Sequence, residues 1–366
     1  MKNLFRYIVL VGSLGLTLFY GCKRDDDEPT IKGRSISRLY ISTSDYNINS
    51  GAEPLNNVFV VDPADTLNFT KFQGQYGSAA KGGNIIHYSP FNKGLVFQSG
   101  RNVQSAIDTS IQVLSVSQYG VLGTSGVIGN RLFQQVRGLF YTVVNSGQLS
   151  QGYLMLIEAS SSPSMYVIDR VTSKSGYTDY KYRMPFTFRP WGIYVDNNDV
   201  FVTKADNNGG IAVYKDFTSM FINDGPKEIT REPNYVLTIS GANNIRGISY
   251  AKAKDILFLT DYTEGSGQND GTGRILIFEK FSENKTTGTI TPTRIVTGPN
   301  TGLKEPLDVA VDTRDKGEFF YVADPSARAV FRFKISDTGN AAPDDKIEVK
   351  SGALSQVPQS IALDTR

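Results

Sequence analysis

The side chains able to do acid–base, nucleophilic or metal chemistry are unevenly represented in this chain of 366 residues. It has one histidine, His87, and one cysteine, Cys22. A single histidine excludes every site built on a histidine cluster, and any catalytic dyad would have to use His87. A single cysteine excludes an internal disulfide framework and a cysteine-based zinc site. Arginine, carboxylate and amide side chains are therefore the candidates for function.

Eight side chains are candidates for binding a ligand, because each precedes or begins the first strand of a repeat unit. They are Arg137, Arg189, Trp191, Asn244, Arg246, Glu305, Asp308 and Gln359. The arginines would attract an anionic group, and a planar guanidinium can hold a carboxylate or phosphate through two hydrogen bonds. The alternative is that they pair with Glu305, Asp308 and nearby carbonyl groups.

A second set of carboxylates falls where the second strand of each unit ends. Its members are Glu158, Asp206, Asp261 and Asp324. Several carboxylates on one face could hold a hard cation such as Ca²⁺. Their repetition in successive units favours a structural interpretation, in which each caps a turn by bonding to backbone N–H groups.

Two further features each allow two interpretations. Residues 177–191 form the densest aromatic run in the chain. This run is either an exposed platform for a flat ligand or an outer strand packed on its neighbour. His87 lies on an inner strand, where it either points into a central channel or packs between blades as a hydrogen-bonded histidine.

The elements that position these side chains are short strands separated by Gly, Asn, Asp and Pro turns, repeated about every 54 residues. Equivalent positions are Ile85, Gly138, Gly192, Gly247, Asp308 and Ser360, at steps of 53, 54, 55, 61 and 52 residues. Each unit contains four apolar runs. Even spacing of four-strand units predicts an all-β fold, a β-propeller whose four-stranded blades surround an axis.

The count of units predicts six blades, the last one shared by both chain termini. The chain stops just after the first strand of the sixth unit, SIALDTR. Residues 37–44 and 56–63 match the second and third strands of that blade, and residues 65–72 could supply the fourth. A blade built from both termini would close the ring and leave few free strand edges.

The unit pattern resembles that of NHL-type and TolB-like six-bladed propellers, on phrases such as RPWGIYVD (189–196) and EFFYVAD (318–324). The resemblance covers nearly all of residues 34–366. Its motifs are strand and turn residues, which many unrelated functions share. It therefore implies architecture rather than activity.

Residues 1–21 are predicted to be a signal peptide. Lys2 and Arg6 are followed by an apolar run, residues 7–20, that is shorter than the roughly 20 residues a bilayer-spanning helix needs. The segment resembles a bacterial lipoprotein signal, which implies cleavage before Cys22 and lipidation of its thiol. Removing Lys2 and Arg6 takes the formal charge of +2 to about zero, which gives no electrostatic case for nucleic-acid binding.

Residues 22–33 are predicted to be a tether between the lipid and the propeller. The sequence KRDDDEP (23–29) resembles the acidic export tag of Bacteroidetes-type surface lipoproteins. The alternative is a solvated linker, since a block of like charges is usually disordered. The resemblance implies an outer-membrane lipoprotein, anchored through its lipid and exposed on the cell surface; a periplasm-facing orientation is the alternative.

Three functions are compatible with these features. The first is a non-catalytic binding protein that captures a small molecule, a glycan or a protein ligand at the channel mouth, with an outer-membrane uptake partner. The second is a lactonase-like hydrolase, for which the resemblance implies a cation held by Asn244, Glu305 and Asp308. The third is a purely structural interaction platform. We expect binding rather than catalysis and no cofactor, with Ca²⁺ the one ion left open.

Overall fold

A computed structural model describes residues 35–47, 55–67, 69–91, 94–102, 107–147, 149–225, 227–265 and 271–366. Ile36–Arg366 form one compact unit. The predicted signal peptide, Cys22 and the tether lie outside the described residues. In the part of the chain that is described, no helix is long and apolar enough to cross a membrane.

The fold is built almost wholly from strands. From the amino terminus they are β1 (Arg38–Thr43), β2 (Val58–Val61), β3 (Gly74–Tyr76), β4 (Ile86–Ser89), β5 (Leu95–Ser99), β6 (Ser110–Val116), β7 (Leu122–Gly129), β8 (Val136–Ser146), β9 (Leu149–Glu158), β10 (Ser164–Asp169), β11 (Gly176–Tyr177), β12 (Tyr182–Pro185), β13 (Pro190–Asp196) and β14 (Asp199–Lys204). They continue as β15 (Gly210–Tyr214), β16 (Tyr235–Ile239), β17 (Ile248–Ala251), β18 (Ile256–Thr263), β19 (Thr272–Glu279), β20 (Gly288–Ile290), β21 (Arg294–Thr297), β22 (Asp308–Val311), β23 (Phe319–Asp324), β24 (Ala329–Lys334), β25 (Asp345–Glu348), β26 (Lys350–Ser351), β27 (Leu354–Ser355) and β28 (Pro358–Asp364). Short 3₁₀ helices span Val171–Ser173, Thr218–Ile222, Lys252–Lys254, Phe281–Glu283 and Pro299–Thr301.

The strands form six antiparallel sheets arranged as the blades of a ring, which confirms the six-bladed propeller. From the axis outward, blade 1 is β4–β5–β6–β7, blade 2 is β8–β9–β10–β12 and blade 3 is β13–β14–β15–β16. Blade 4 is β17–β18–β19–β21, blade 5 is β22–β23–β24–β25 and blade 6 is β28–β1–β2–β3. Blades 1 and 3 each gain a fifth, parallel outer strand, β11 and β20, from the chain of the following unit.

Blade 6 is shared by the two ends of the propeller, as predicted. The carboxyl-terminal strand β28 is its inner strand and pairs with β1 from Arg38↔Asp364 to Thr43↔Pro358. The prediction of the fourth strand within residues 65–72 is wrong, because that strand is β3, Gly74–Tyr76. The described residues 65–67 and 69–72 instead form turns and coil between β2 and β3. Phe69 is fully buried there, and the carbonyl of Thr66 accepts a hydrogen bond from the Arg332 guanidinium at 2.6 Å.

The hydrophobic core lies between blades rather than inside one layer. Each of six large apolar clusters joins two neighbouring blades, so that both faces of most inner strands are buried. Tyr182, in the aromatic run, is 1% exposed in the cluster between blades 2 and 3. The part of the run that forms the outer strand β12 therefore packs on the neighbouring blade rather than forming an exposed platform, whereas Tyr177 at the start of the run is 76% exposed.

Three glycines occur where neighbouring inner strands approach each other most closely at the axis. A Cβ on Gly138 would lie 2.8 Å from the carbonyl oxygen of Trp191 in the next blade. A Cβ on Gly192 would lie 2.5 Å from the carbonyl oxygen of Arg246, and one on Gly247 would lie 2.7 Å from Cα of Asp308. The glycine recurs at this position of the repeat because neighbouring blades approach too closely there for any larger residue to fit against the backbone.

Replacing Gly192 by alanine is expected to destabilise the propeller. The added methyl would collide with the backbone of blade 4, and overpacking of this kind typically costs about 1–3 kcal/mol. Gly288→Ala is the matched control, because a Cβ there has nothing within 4 Å and alanine is otherwise favoured over glycine in a strand. Urea unfolding followed by circular dichroism measures both; equal midpoints for the two variants would contradict the close-approach explanation.

Candidate functional site

A carboxylate in every blade holds the loop that precedes the inner strand. In each case the carboxylate lies near the end of the second strand or just before the third, and it accepts backbone N–H groups from that loop. The pairs are Asp45 with Val357, Asp108 with Lys81, Glu158 with Gln135, Asp206 with Arg189, Asp261 with Asn243 and Asn244, and Asp324 with Lys304 and Glu305. The structural interpretation of these carboxylates is the one that the structure supports. Asp45 and Asp108 were missed because the repeat is least regular in the first half of the chain.

The loops held by these carboxylates bring the three predicted arginines together around the one tryptophan. The guanidinium carbons of Arg137, Arg246 and Arg189 lie 4.4, 4.8 and 5.5 Å from the centroid of the Trp191 ring. The indole packs against Leu307 of blade 5 and is 5% exposed. Residues of blades 2, 3, 4 and 5 therefore meet at one end of the axis. We call Arg137, Arg189, Trp191 and Arg246 the arginine cluster, and this end of the ring the mouth.

The positive charge of the arginine cluster is only partly compensated. Arg246 forms an ion pair with Glu305, with its Nη1 at 2.8 Å from Oε1, while its buried Nε has no hydrogen-bond partner. Within the described residues, no hydrogen bond or ion pair engages the Arg137 guanidinium. Burial, together with the charges of Arg101, Arg246 and Arg189, lowers the pKa of Arg137 to about 10. The alternative in which the arginines pair with Glu305, Asp308 and nearby carbonyl groups thus holds for Arg246, through Glu305, but not for Arg137.

Other predicted binding residues make separate contacts of their own. The Asn244 amide donates to the carbonyl of Tyr262 at 3.4 Å. The Gln359 amide is 4% exposed and donates to Ser44 at 3.4 Å. Glu305 accepts a hydrogen bond from Ser326 at 2.8 Å in addition to its pair with Arg246.

Asp308 joins blade 5 to blade 6. Its carboxylate accepts hydrogen bonds from the hydroxyl of Ser360 at 2.5 Å and from the backbone N–H of Ile361 at 3.1 Å. Burial raises the pKa of Asp308 to about 6 in spite of these bonds. The residue therefore acts first as a link across the blade interface.

The raised pKa of Asp308 predicts a pH-dependent contribution to stability. Since the folded state holds this proton more tightly than the unfolded chain, the contribution is greatest below pH 4 and is lost as pH rises towards 6. Asp308→Asn removes the titration. Relative to the wild type, the free energy of unfolding of the variant should therefore increase by up to about 3 kcal/mol between pH 4 and pH 7. Urea midpoints at several pH values measure this difference. A difference that is flat with pH, like the one expected for the exposed Asp315→Asn control, would contradict it.

The central channel forms a cavity of about 440 Å³ lined by inner-strand residues of all six blades. Two arginines are among the lining residues, Arg137 at the mouth and Arg366 at the other end. Arg366 is paired with Asp364 at 2.9 Å. His87 also lines the cavity and contacts Phe140, with ring centroids 4.8 Å apart and the ring planes tilted by 38°. The channel location predicted as one alternative for His87 is therefore the observed one.

The residues proposed from sequence for a catalytic cation do not form a common site. Glu305 binds Arg246 and Ser326. Asp308 accepts hydrogen bonds from Ser360 and Ile361. The Asn244 amide donates to a backbone carbonyl. Among the described residues, no group of three or more His, Cys, Asp or Glu side chains is placed to hold a metal ion.

Comparison with known proteins supports the fold. No model of a known protein family matches the chain, and no curated protein matches it. A periplasmic gluconolactonase of Pseudomonas aeruginosa is 11% identical, with a TM-score of 0.54 over 91% of this chain and 100% of that one. A putative 6-phosphogluconolactonase of Bacteroides uniformis is 10% identical, with a TM-score of 0.52 over 90% and 100%. The hydrazine synthase of Kuenenia stuttgartiensis is 14% identical, with a TM-score of 0.43 over 76% and 70%.

At such identities the likeness extends to architecture alone. The first two of these structures support a β-propeller for this chain.

Proposed function

We propose that this propeller is a non-catalytic binding protein that holds a small organic anion in its central channel. The observation that carries the proposal is Arg137: its guanidinium lines the cavity, is unpaired among the described residues, and lies beside two other arginines. A carboxylate or phosphate on a ligand would supply the missing counter-charge.

The energetic argument follows from the charges. Three guanidinium groups surround Trp191, and Glu305 neutralises one of them. The lowered pKa of Arg137 reflects first the burial of its charge and second the repulsion from Arg101, Arg246 and Arg189. An anion bound at Arg137 would relieve this repulsion, and charge-assisted hydrogen bonds in a buried site are about twice as strong as neutral ones.

The residues do not favour the lactonase-like alternative. That activity was proposed on a cation held by Asn244, Glu305 and Asp308, and their side chains have separate partners. The purely structural alternative predicts no saturable binding of any small molecule. One titration therefore distinguishes it from the proposal.

The test is isothermal titration of the purified propeller with a panel of anions: inorganic phosphate, citrate, gluconate, 6-phosphogluconate and 3-phenylpropionate. The two sugar acids are included because two solved structures of this fold are named as a gluconolactonase and a putative 6-phosphogluconolactonase. Trp191, the one tryptophan of the chain, gives a second readout through its fluorescence.

Arg137→Gln is expected to weaken the best anion about 10- to 100-fold, the range of one charged hydrogen-bonding partner. Lys285→Gln is the matched control, since Lys285 is an exposed residue on the loop between the third and fourth strands of blade 4, away from the mouth. If both variants lost the same affinity for the anion, the effect would come from the net charge of the protein and not from Arg137 itself. Absence of saturable binding for every anion, in a folded protein, would overturn the proposal.

We also propose that the propeller is carried by an outer-membrane lipoprotein, with the lipid on Cys22 and the propeller displayed on the cell surface. The signal-like residues 1–21 and the acidic block 23–29 support this. Cys22→Ser should abolish incorporation of labelled palmitate and release the protein from the membrane fraction. Protease treatment of intact cells distinguishes surface display from a periplasm-facing anchor.

A further inference from the structure

Four aromatic rings from successive blades line the channel in an unbroken series. The ring centroids of His87 in blade 1 and Phe140 in blade 2 are 4.8 Å apart, and those of Phe140 and Tyr194 in blade 3 are 5.7 Å apart. Tyr194 in turn contacts Tyr250 of blade 4 at 5.9 Å with the rings at 88°. All four residues line the cavity. We call His87, Phe140, Tyr194 and Tyr250 the aromatic belt.

The polar ends of the two tyrosines in the belt are already engaged. The Tyr250 hydroxyl donates to Asp255 at 2.6 Å, and the Tyr194 hydroxyl donates to the carbonyl of Tyr250 at 3.4 Å. What these residues offer to the cavity is therefore ring surface rather than hydrogen-bonding groups. Aromatic pairs prefer offset-stacked or edge-to-face contact, which the belt can make with another ring.

His87 adds one hydrogen-bonding group to this apolar arc. Burial lowers its pKa to about 3, so the imidazole is neutral at physiological pH and has one donor and one acceptor nitrogen. Within the described part of the chain it makes no hydrogen bond. The belt therefore carries no charge that would compete with Arg137 for the anionic group of a ligand.

The belt and Arg137 are spaced so that one ligand can contact both. Phe140 follows Arg137 by three residues on β8, which is roughly 10 Å along a strand. The cavity of about 440 Å³ is larger than the roughly 150 Å³ in which an apolar protein cavity holds benzene. It has room for a ring, a short spacer and an acidic group.

We propose that the ligand is an aryl-bearing organic anion, whose carboxylate or phosphate bonds to Arg137 and whose aromatic ring packs within the aromatic belt. This inference rests on the proposed anion-binding function and specifies its ligand class. It makes the ring, as well as the charge, a condition for tight binding.

The experiment compares four ligands by titration: acetate, benzoate, 3-phenylpropionate and 3-cyclohexylpropionate. In the wild type, 3-phenylpropionate should bind about tenfold or more tightly than acetate, because it buries a ring. Its affinity should also be higher than that of benzoate, whose ring is attached directly to the carboxyl group, and that of 3-cyclohexylpropionate, whose ring lacks aromatic faces.

Phe140→Leu should reduce affinity for 3-phenylpropionate about three- to tenfold and remove its advantage over the cyclohexyl compound, while leaving affinity for inorganic phosphate unchanged. Phe72→Leu is the matched control, because Phe72 packs on Phe59 in the outer part of blade 6. His87→Phe keeps the ring and removes the imidazole nitrogens, so it should retain the preference for aryl ligands.

The two proposals fail differently. If phosphate or gluconate binds through Arg137 and 3-phenylpropionate binds no better than acetate, the aryl class is wrong and anion binding stands. If 3-cyclohexylpropionate matches 3-phenylpropionate in the wild type, the belt does not select aromatic rings. If no anion binds, the proposed function itself is wrong.

Discussion

Deletion of residues 357–366 is expected to abolish the cooperative unfolding transition of the propeller. This segment contains β28, which is the inner strand of blade 6 and pairs with β1 over six residues. Ile361 belongs to the apolar cluster between blades 5 and 6, and Ser360 is bonded to Asp308 of blade 5. Without β28 the edge of β1 is exposed and both neighbouring blade interfaces lose their inner layer.

The expected loss is comparable with the whole stability of a domain, on the order of 5–15 kcal/mol, because the ring can no longer close. Differential scanning calorimetry and circular dichroism measure it. Deletion of Thr365 and Arg366 alone is the graded control, since it keeps β28 and should cost far less. The peptide VPQSIALDTR, added to the truncated chain, should restore a cooperative transition. A truncated chain that unfolds at the wild-type midpoint would show that blade 6 does not close the ring.

The number of blades was predictable because every blade of a propeller packs its inner strand against the next blade in the same way. Each inner strand meets its neighbour at the axis, so Gly138, Gly192 and Gly247 recur at the same place, where a Cβ would meet backbone. The two-ended blade was predictable for a similar reason, since residues 37–44 and 56–63 match the second and third strands of a unit and residues 358–364 match a first strand. The fourth strand of blade 6 was misplaced because Phe69 and Phe72 are apolar, as strand residues often are, but pack on Tyr321 and Phe59 without forming a strand.

The convergence of Arg137 and Arg246 was predictable from their equivalent positions, one residue before the unit glycine, and that of Arg189 from its place at the start of the next inner strand. Their individual partners were not. Periodicity places residues at one end of the ring, but it does not say how far neighbouring blades are staggered or which way a side chain turns. Arg246 reaches Glu305 in the next blade, whereas Arg137 stacks on Trp191. Asp308 accepts a hydrogen bond from Ser360, which lies 52 residues further along the chain.

The carboxylates that hold the loops link stability to the binding site. Asp261 is fully buried, accepts N–H groups of Asn243 and Asn244 at 3.0 and 2.8 Å, and forms an ion pair with Arg274 at 2.6 Å. The loop it holds leads directly into Arg246. Asp206 occupies the same place in blade 3, but it is half-buried and its bond to the Arg189 N–H is 3.4 Å long.

Asp261→Asn is therefore expected to cost about 3 kcal/mol or more, because it leaves the buried end of the Arg274 guanidinium without its anion. Asp206→Asn should cost less than about 1 kcal/mol, since it weakens one marginal hydrogen bond. The two substitutions are chemically identical and differ only in burial and partners. Urea unfolding measures the difference, and similar costs at the two sites would contradict the assigned roles.

Asp261→Asn should also weaken anion binding, although the Asp261 side chain is not part of the cavity lining. Release of the Asn243–Asn244 backbone would let Arg246 shift away from Trp191 and from Glu305, and so disturb the field that Arg137 presents to the ligand. Titration below the unfolding range, with Trp191 fluorescence as the reporter, separates this effect from global stability. Unchanged affinity and fluorescence in a folded Asp261→Asn protein would mean that the loop position does not matter. A loss in Asp261→Asn but not in Asp206→Asn would mean that the repeated carboxylate positions the arginine cluster as well as the fold.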